Sequence, residues 1–236
     1  MKNRFIALVA LTLALTMIFS FSASAETPRW IEPEAHTPID DFAYSFAVFG
    51  DTQIITHFDA RLGTHNLNTM YQWVVDNKEA KKIEYVIGLG DITNTTNAYE
   101  WTVAHRAIKK LDGVVGYSLV RGNHDVERSF INTFGKHTPY TDTIEGYYEG
   151  ADKVLNNYRT LTVCGIKYLI MVLDYYPTNA ELKWANQVVE EHPEHRVIVT
   201  THSYLYKDGS LWPYGDNGEP GGNTANNMWL NFLRRR

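Results

Sequence analysis

The chain has 236 residues, with 27 Asp and Glu against 22 Lys and Arg, and its formal net charge is -5 at pH 7. A mildly acidic chain without a basic run argues against nucleic-acid binding, which depends on clustered Lys and Arg. Cys164 is the only cysteine, so an intramolecular disulfide is excluded and the fold must depend on its core.

The first 25 residues have the features of a secretory signal peptide. Lys2 and Arg4 precede an apolar run over residues 5–21, and Ala23-Ser24-Ala25 supplies small residues for cleavage. We therefore predict a secreted or cell-envelope protein with no stable membrane span after cleavage. An uncleaved anchor is the alternative, because about 17 apolar residues lie near the lower limit for crossing a bilayer.

The predicted mature chain begins at Glu26. Residues 26–43 are rich in proline and acid without periodicity, which indicates an extended lead-in. Residues 44–236 are enough for one domain with a sizeable core. The last helical pattern continues to the final residues, so we expect this domain to be C-terminally incomplete. The sequence carries no indication of the oligomeric state.

Strands and helices alternate through the first half of the domain. Apolar runs predict strands at 44–49, 83–89 and 114–120. Residues from Thr64 onward, and those after Asn97, have apolar side chains at helical spacing, with Asn97 as a plausible N-cap. This rhythm predicts right-handed βαβ crossovers and a parallel core.

The second half has a different pattern. A long loop is predicted at 127–157 with one short helix near 129–134, and loops of that length are usually functional. Strands at 158–163 and 166–173 flank Cys164-Gly165 and predict a hairpin. The remaining predicted elements are a helix at 180–191, a strand at 196–201 and a helix from residue 224 or 225.

Side chains that can bind metals follow four of the predicted strands. They are Asp51, Gln53, Asp91, Asn123, His124, Asp125 and His202. Because ligands bind where the carboxyl ends of strands converge, we expect these residues to share one site. Carboxylate and amide oxygens with imidazole form a mixed ligand set that suits divalent Mn, Fe or Zn, or Mg.

The expected chemistry follows from the residue types. Two cations about 3.5–4 Å apart can clamp the attacking and leaving oxygens of an in-line displacement at phosphorus. A bridging carboxylate is required, and Asp91 is the natural bridge. His124 should project over the site without binding metal, and neutralise phosphoryl charge or protonate the leaving oxygen. Asp125 is expected to orient His124 by accepting its second ring N–H.

Four segments resemble the motifs of the calcineurin-like metallophosphoesterases, in order from about residue 46 to 204. They are Phe49-Gly50-Asp51-Thr52-Gln53, Gly90-Asp91-Ile92-Thr93-Asn94, Gly122-Asn123-His124-Asp125 and Thr201-His202-Ser203-Tyr204. The resemblance implies an α/β fold of two packed mixed β-sheets flanked by helices, in four α-β-β-α layers. It also implies hydrolysis of phosphate mono- or diesters by a metal-bound hydroxide at a dinuclear centre.

The resemblance further implies a distribution of the metal ligands. Asp51 and Gln53 would bind the first ion, Asp91 would bridge, and Asn123 and His202 would bind the second. In the family the first motif is usually Asp-x-His, so Gln53 replaces an imidazole and the first ion should bind less tightly, or be Mg or Mn.

Other features keep alternatives open. No closing Gly-His-x-His follows His202, which suggests a chain truncated before that motif. A degenerate or truncated fold that binds phosphate or one metal without turnover is therefore the competing function. Asn94 could bind phosphate or cap the next helix, and we favour the cap. A non-metal hydrolase is a weaker alternative, because no Gly-x-Ser-x-Gly segment occurs.

Overall fold

The computed structural model describes residues 42–212 and 221–235. The predicted signal peptide, at 1–25, and nearly all of the predicted lead-in lie outside the described residues. Within the described ranges, no helix combines the length and the apolar character needed to cross a membrane.

Strands and helices alternate over most of the described chain. In order, the elements are β1 (Ser45–Phe49), α1 (Gln53–Leu62), α2 (Asn66–Asn77), β2 (Ile83–Gly88), α3 (Ala98–Ile108), β3 (Gly116–Leu119), α4 (Glu127–Phe134), α5 (Thr138–Thr141), β4 (Gly146–Tyr147), β5 (Asn157–Val163), β6 (Ile166–Val172), α6 (Asn179–Glu191), β7 (Arg196–Thr200) and α7 (Ala225–Asn231).

The strands form two sheets. The first has the order β1-β2-β3 and is parallel, as the alternation of strands and helices predicts. The second has the order β4-β5-β6-β7, in which β5 runs antiparallel to both neighbours and β7 runs parallel to β6. The carboxyl ends of β1, β2 and β3 therefore lie along one edge of the first sheet.

The two sheets pack face to face because residues alternate sides along each strand. Tyr85 and Ile87 of β2 are buried in one cluster with Tyr168 and Ile170 of β6. Residues on the opposite faces pack against helices: α2, α3 and α4 cover the first sheet, and α6 and α7 cover the second. The order helices, sheet, sheet, helices confirms the predicted four-layer α/β fold.

Helix α1 was not expected from the sequence. Its buried side chains are the polar Thr56 and Asp59, while Ile54, Phe58 and Leu62 are exposed. This reverses the usual amphipathic arrangement, so hydrophobic periodicity gives no indication of which face packs inward. The helix begins directly at Gln53, so this ligand candidate lies in a first turn rather than in a loop.

The prediction of a long loop at 127–157 with one short helix is only partly right. The expected helix near 129–134 is present as α4, but the segment also contains the helix α5 and the short strand β4. Phe130, Phe134 and Tyr140 are fully buried in the core beside the first sheet. The segment is therefore part of the hydrophobic core, and its length is explained by packing.

The predicted hairpin and N-cap are both present. Cys164 and Gly165 join β5 to β6 with φ angles of 49° and 78°, as a two-residue turn with positive φ at both positions requires. The Asn97 side chain accepts hydrogen bonds from the N–H groups of Tyr99 and Glu100 at the start of α3. Asn97 rather than Asn94 is therefore the cap.

Candidate metal centre

Three strand ends bring charged or imidazole side chains to one point. Asp51 follows β1, Asp91 follows β2 and His202 follows β7. One carboxylate oxygen from each aspartate and one ring nitrogen of the histidine all lie within 4.8 Å of one another. The two sheets thus contribute to one cluster, because β7 belongs to the second sheet.

The ring of His202 is fixed by its surroundings. Its Nδ1 lies 2.8 Å from the carbonyl oxygen of Leu89, and Nδ1–H donates to that oxygen. Its Nε2 lies 3.1 Å from Asn123 Oδ1 and 3.4 Å from Asp91 Oδ1. In the neutral ring Nε2 carries a lone pair, so three electron-rich atoms converge and a cation among them would be favourable.

Asp91 occupies a narrow space between two loops. It has a left-handed backbone at φ 48°, which Asp and Asn tolerate better than most residues. A Cβ on Gly122 would lie 2.2 Å from Asp91 Oδ1, and a Cβ on Gly90 would lie 2.9 Å from His202 Nδ1. Both glycines are therefore required for the close approach of the loops that form the cluster.

The two amide candidates also lie at this edge. Asn123 is exposed and contacts His202 as described above. Gln53 begins α1 two residues after Asp51, and its Oε1 is buried without a hydrogen-bond partner among the described residues. A buried amide oxygen without a donor is costly, and a cation would satisfy it.

The prediction that Asp125 accepts a hydrogen bond from the His124 ring is wrong. The Asp125 carboxylate is fully buried and accepts from the N–H groups of Ile92, Thr93 and Gly122 and from Thr93 Oγ1. The Nδ1 of His124 instead lies 2.9 Å from the carbonyl oxygen of Asn94. Asp125 therefore holds the loop after β2, while a backbone carbonyl orients His124.

The charges of Asp91 and His202 support each other, but that of Asp51 is disfavoured. Partial desolvation and the neighbouring Asp91 raise the pKa of Asp51, and His202 only partly opposes this effect. Burial also acts to raise the pKa of Asp91, but His202 and the N–H of His124 bring it below its ordinary value. For His202, burial lowers the pKa and the Asp91 carboxylate raises it, with a net upward shift. The carboxylates thus favour a positive charge between them.

The model of the calcineurin-like phosphoesterase family matches residues 44–230, which is most of the chain. The chain belongs to this family. "Uncharacterized protein YvnB" of Bacillus subtilis (strain 168) is 28% identical over 180 residues, which are 73% of this chain and 14% of that protein. The chain therefore spans only a small part of that protein's length.

Two solved structures resemble the fold at low sequence identity. A dimetal phosphatase from Danio rerio is 14% identical with a TM-score of 0.46, covering 70% of this chain and 71% of that chain. Purple acid phosphatase PPD1 from yellow lupin (Lupinus luteus) is 14% identical with a TM-score of 0.43. The match covers 79% of this chain and 35% of the lupin chain. At these values the substrate and chemistry must be inferred from the site itself.

The residues of the cluster fit divalent cations. Asp51, Asp91 and His202 converge, and Asn123 faces His202. Gln53 has a buried oxygen that lacks a donor among the described residues. Carboxylate, amide and imidazole ligands in one cluster are typical of sites for Mn, Fe, Zn or Mg. Sequence reasoning did not find Glu100, Arg121 or Asp174, whose contacts support the loops of the site.

Proposed function

We propose that this chain hydrolyses phosphate mono- or diesters with two divalent cations held where β1, β2, β3 and β7 end. The convergence of Asp51, Asp91 and His202 carries the proposal, because these side chains come from three separate strand ends and both sheets. Membership of the calcineurin-like phosphoesterase family supports the same chemistry.

The ligands would be divided between the two ions. Asp51 and Gln53 would hold one ion, Asn123 and His202 would hold the other, and Asp91 would bind both. When bound, two such ions supply an activated water and stabilise charge on the phosphoryl oxygens. The open exposure of Asp51, at 59% of its side chain against 4% for Asp91, leaves this side of the site accessible to a phosphate ester.

His124 handles the leaving group. Its Nδ1–H is engaged by the carbonyl of Asn94, so Nε2 is the ring nitrogen left to hold a proton for the leaving oxygen. The residue is exposed and directly follows Asn123. Asp125 contributes indirectly by holding the loop after β2, which carries Asn94.

The test measures hydrolysis and metal content in the full chain. After removal of metal with a chelator, added Mn²⁺ should restore hydrolysis of p-nitrophenyl phosphate or bis(p-nitrophenyl) phosphate, with two ions bound per chain. Asp91→Asn should abolish activity without unfolding the chain, since Asn accepts the same left-handed backbone. Full activity in this variant would remove the bridging role of Asp91.

A binding module without turnover is the second candidate. Its support is the presence of two neutral amides, Gln53 and Asn123, in the proposed ligand set, because amides bind cations more weakly than carboxylates do. Metal stoichiometry separates the two functions. At most one bound ion per chain and no hydrolysis of either ester would favour the binding module.

We also propose that the protein is exported, on the basis of the apolar run and the Ala23-Ser24-Ala25 triplet. Expression of the full chain in a bacterium, followed by mass spectrometry of the extracellular and envelope fractions, measures the mature N-terminus. A species beginning at Glu26 is expected. Retention of residues 1–25 in the membrane fraction would contradict cleavage.

A further inference from the structure

A second buried carboxylate holds the loop that follows Asp91. Glu100 lies in the first turn of α3, is fully buried, and accepts hydrogen bonds from the N–H groups of Asn94 and Thr95 and from Thr95 Oγ1, at 2.8–2.9 Å. Its other contact is His57 Nδ1 of α1, at 2.8 Å. The loop is thus tied to two helices.

One peptide unit connects Glu100 to His124. The N–H of Thr95 donates to Glu100 Oε2, and the carbonyl of Asn94, which belongs to the same planar peptide unit, accepts from His124 Nδ1. Fixing one side of a rigid plane fixes the other side. Hydrogen bonds on both sides also polarise the unit, which strengthens the carbonyl as an acceptor.

An ordinary helix-capping role does not account for these contacts. In a capping box the acidic side chain of the first turn bonds to the backbone N–H of the N-cap residue. Here Asn97 is the N-cap, but Glu100 bonds to residues 94 and 95 instead. The Glu100 carboxylate therefore serves the loop, while Asn97 caps α3.

Glu100 is ionised where it acts. Burial tends to raise its pKa, but the N–H of Thr95, the ring of His57 and the hydroxyl of Thr95 together bring the pKa below its ordinary value. A full negative charge is thus placed behind the Asn94–Thr95 peptide. The carbonyl on the other side of this peptide is the one that accepts from His124 Nδ1.

We propose that Glu100 is a positioning residue for His124, which it acts on through the Asn94–Thr95 peptide by fixing the orientation of the ring and the proton on Nδ1. The proposal rests on the proposed function, in which His124 protonates the leaving oxygen. Glu100 itself does not touch the substrate.

The first test compares Glu100→Gln with a matched control, Asp59→Asn. Asp59 is also buried and accepts four hydrogen bonds from a loop and the helix that follows it, but it contacts residues 64–67 instead of residues 94 and 95. Both variants are compared with the wild type in hydrolysis of phenyl phosphate, a poor leaving group, and p-nitrophenyl phosphate, a good one. Circular dichroism first verifies that each variant is folded.

If Glu100→Gln displaces the acid His124, the rate of hydrolysis should fall most for the ester with the poor leaving group. For Glu100→Gln we expect kcat to fall about tenfold or more with phenyl phosphate and only about twofold with p-nitrophenyl phosphate, with KM almost unchanged. Asp59→Asn should leave the ratio of the two rates at the wild-type value. An equal loss on both esters in Glu100→Gln would overturn the proposal.

The second test requires no turnover. Nitrogen NMR of the His124 ring in the metal-free chain should show a proton on Nδ1 in the wild type and in Asp59→Asn, and an altered ring signal in Glu100→Gln. Thr95→Val, which removes one of the Glu100 contacts, should shift this signal in the same direction but less, and it replaces Glu100→Gln if that variant does not fold. An unchanged ring signal overturns the proposal. If the wild type hydrolyses neither of these monoesters nor the diester bis(p-nitrophenyl) phosphate, the proposed function fails, while the ring signal still decides the role of Glu100.

Discussion

Gln53 is the candidate ligand at which a substitution should most readily strengthen metal binding. Its Oε1 is buried without a hydrogen-bond partner among the described residues, which is an unfavourable state for an amide. Gln53 is the first residue of α1, so the helix sets its backbone position. An amide oxygen in this place can bind a cation, but more weakly than an imidazole binds Fe or Zn.

Gln53→His should therefore tighten the binding of Zn²⁺ at the weaker of the two sites, by about tenfold. Isothermal titration of the metal-free chain measures the change, with Gln72→His as the control. Gln72 lies on α2 and its amide donates to Asp76. Equal affinities for both variants and the wild type would remove Gln53 from the ligand set.

The sequence reveals the candidate ligands but not the groups that support them. Asp51, Asp91 and His202 each follow an apolar strand, so their convergence could be predicted from the rule for parallel strands. The roles of Asp125 and Glu100 could not, because both carboxylates bond to backbone N–H groups whose positions depend on the folded loop. The spacing of residues in the sequence does not indicate where these backbone N–H groups lie.

At the scale of elements, α1 acts as a support for its neighbour α2. His65, the N-cap residue of α2, makes no capping bond with its side chain. Asp59 of α1 instead accepts from the backbone N–H groups of Asn66 and Leu67 and from Thr64 Oγ1. A carboxylate at the N-terminus of a helix also interacts favourably with the helix dipole.

The contribution of Asp59 should depend on pH. Burial alone would raise its pKa, but the donors from Thr64, Leu67 and Asn66 bring it below the ordinary value. A carboxyl group with a lowered pKa in the folded state stabilises the fold fully above its unfolded pKa, which is about 4. That stabilisation is lost as the pH falls through the lower, folded value.

Asp59→Asn should therefore lower the free energy of unfolding by about 1–3 kcal/mol at pH 7. Below about pH 4 the difference from the wild type should shrink, because the wild-type carboxylate is then becoming protonated. Urea unfolding of both proteins at pH 7, 5 and 3.5 measures this difference. A difference in the free energy of unfolding that stays constant over this pH range would show that the charge of Asp59 does not contribute to stability.

At the scale of the whole molecule, a buried ion pair joins the two sheets beside the metal centre. Arg121 follows β3 of the first sheet and Asp174 follows β6 of the second, and both are almost fully buried. The guanidinium donates through Nε and NH2 to both oxygens of the carboxylate, at 2.8 and 2.9 Å. The layers themselves could be predicted from the sequence, but this pairing could not, because 53 residues separate the partners.

Removal of one partner should be far more harmful than removal of both. Asp174→Asn removes the nearer counter-charge of the buried Arg121 guanidinium and leaves Glu127 at 4.0 Å, and breaking such a buried pair costs about 3–5 kcal/mol. The double variant Arg121→Met, Asp174→Leu leaves no buried charge, so it should be more stable than the single variant. The exposed pair of Lys167 and Glu194 is the control, and Glu194→Gln should change stability far less than Asp174→Asn does.

Chemical unfolding of the wild type and these three variants measures each difference. Because the pair connects both sheets, Asp174→Asn should shift one cooperative transition to lower denaturant concentration. A split into two transitions would show that the sheets unfold independently and that the pair is a local contact. A loss in Asp174→Asn no larger than that in Glu194→Gln would show that the buried pair contributes no more than an exposed one.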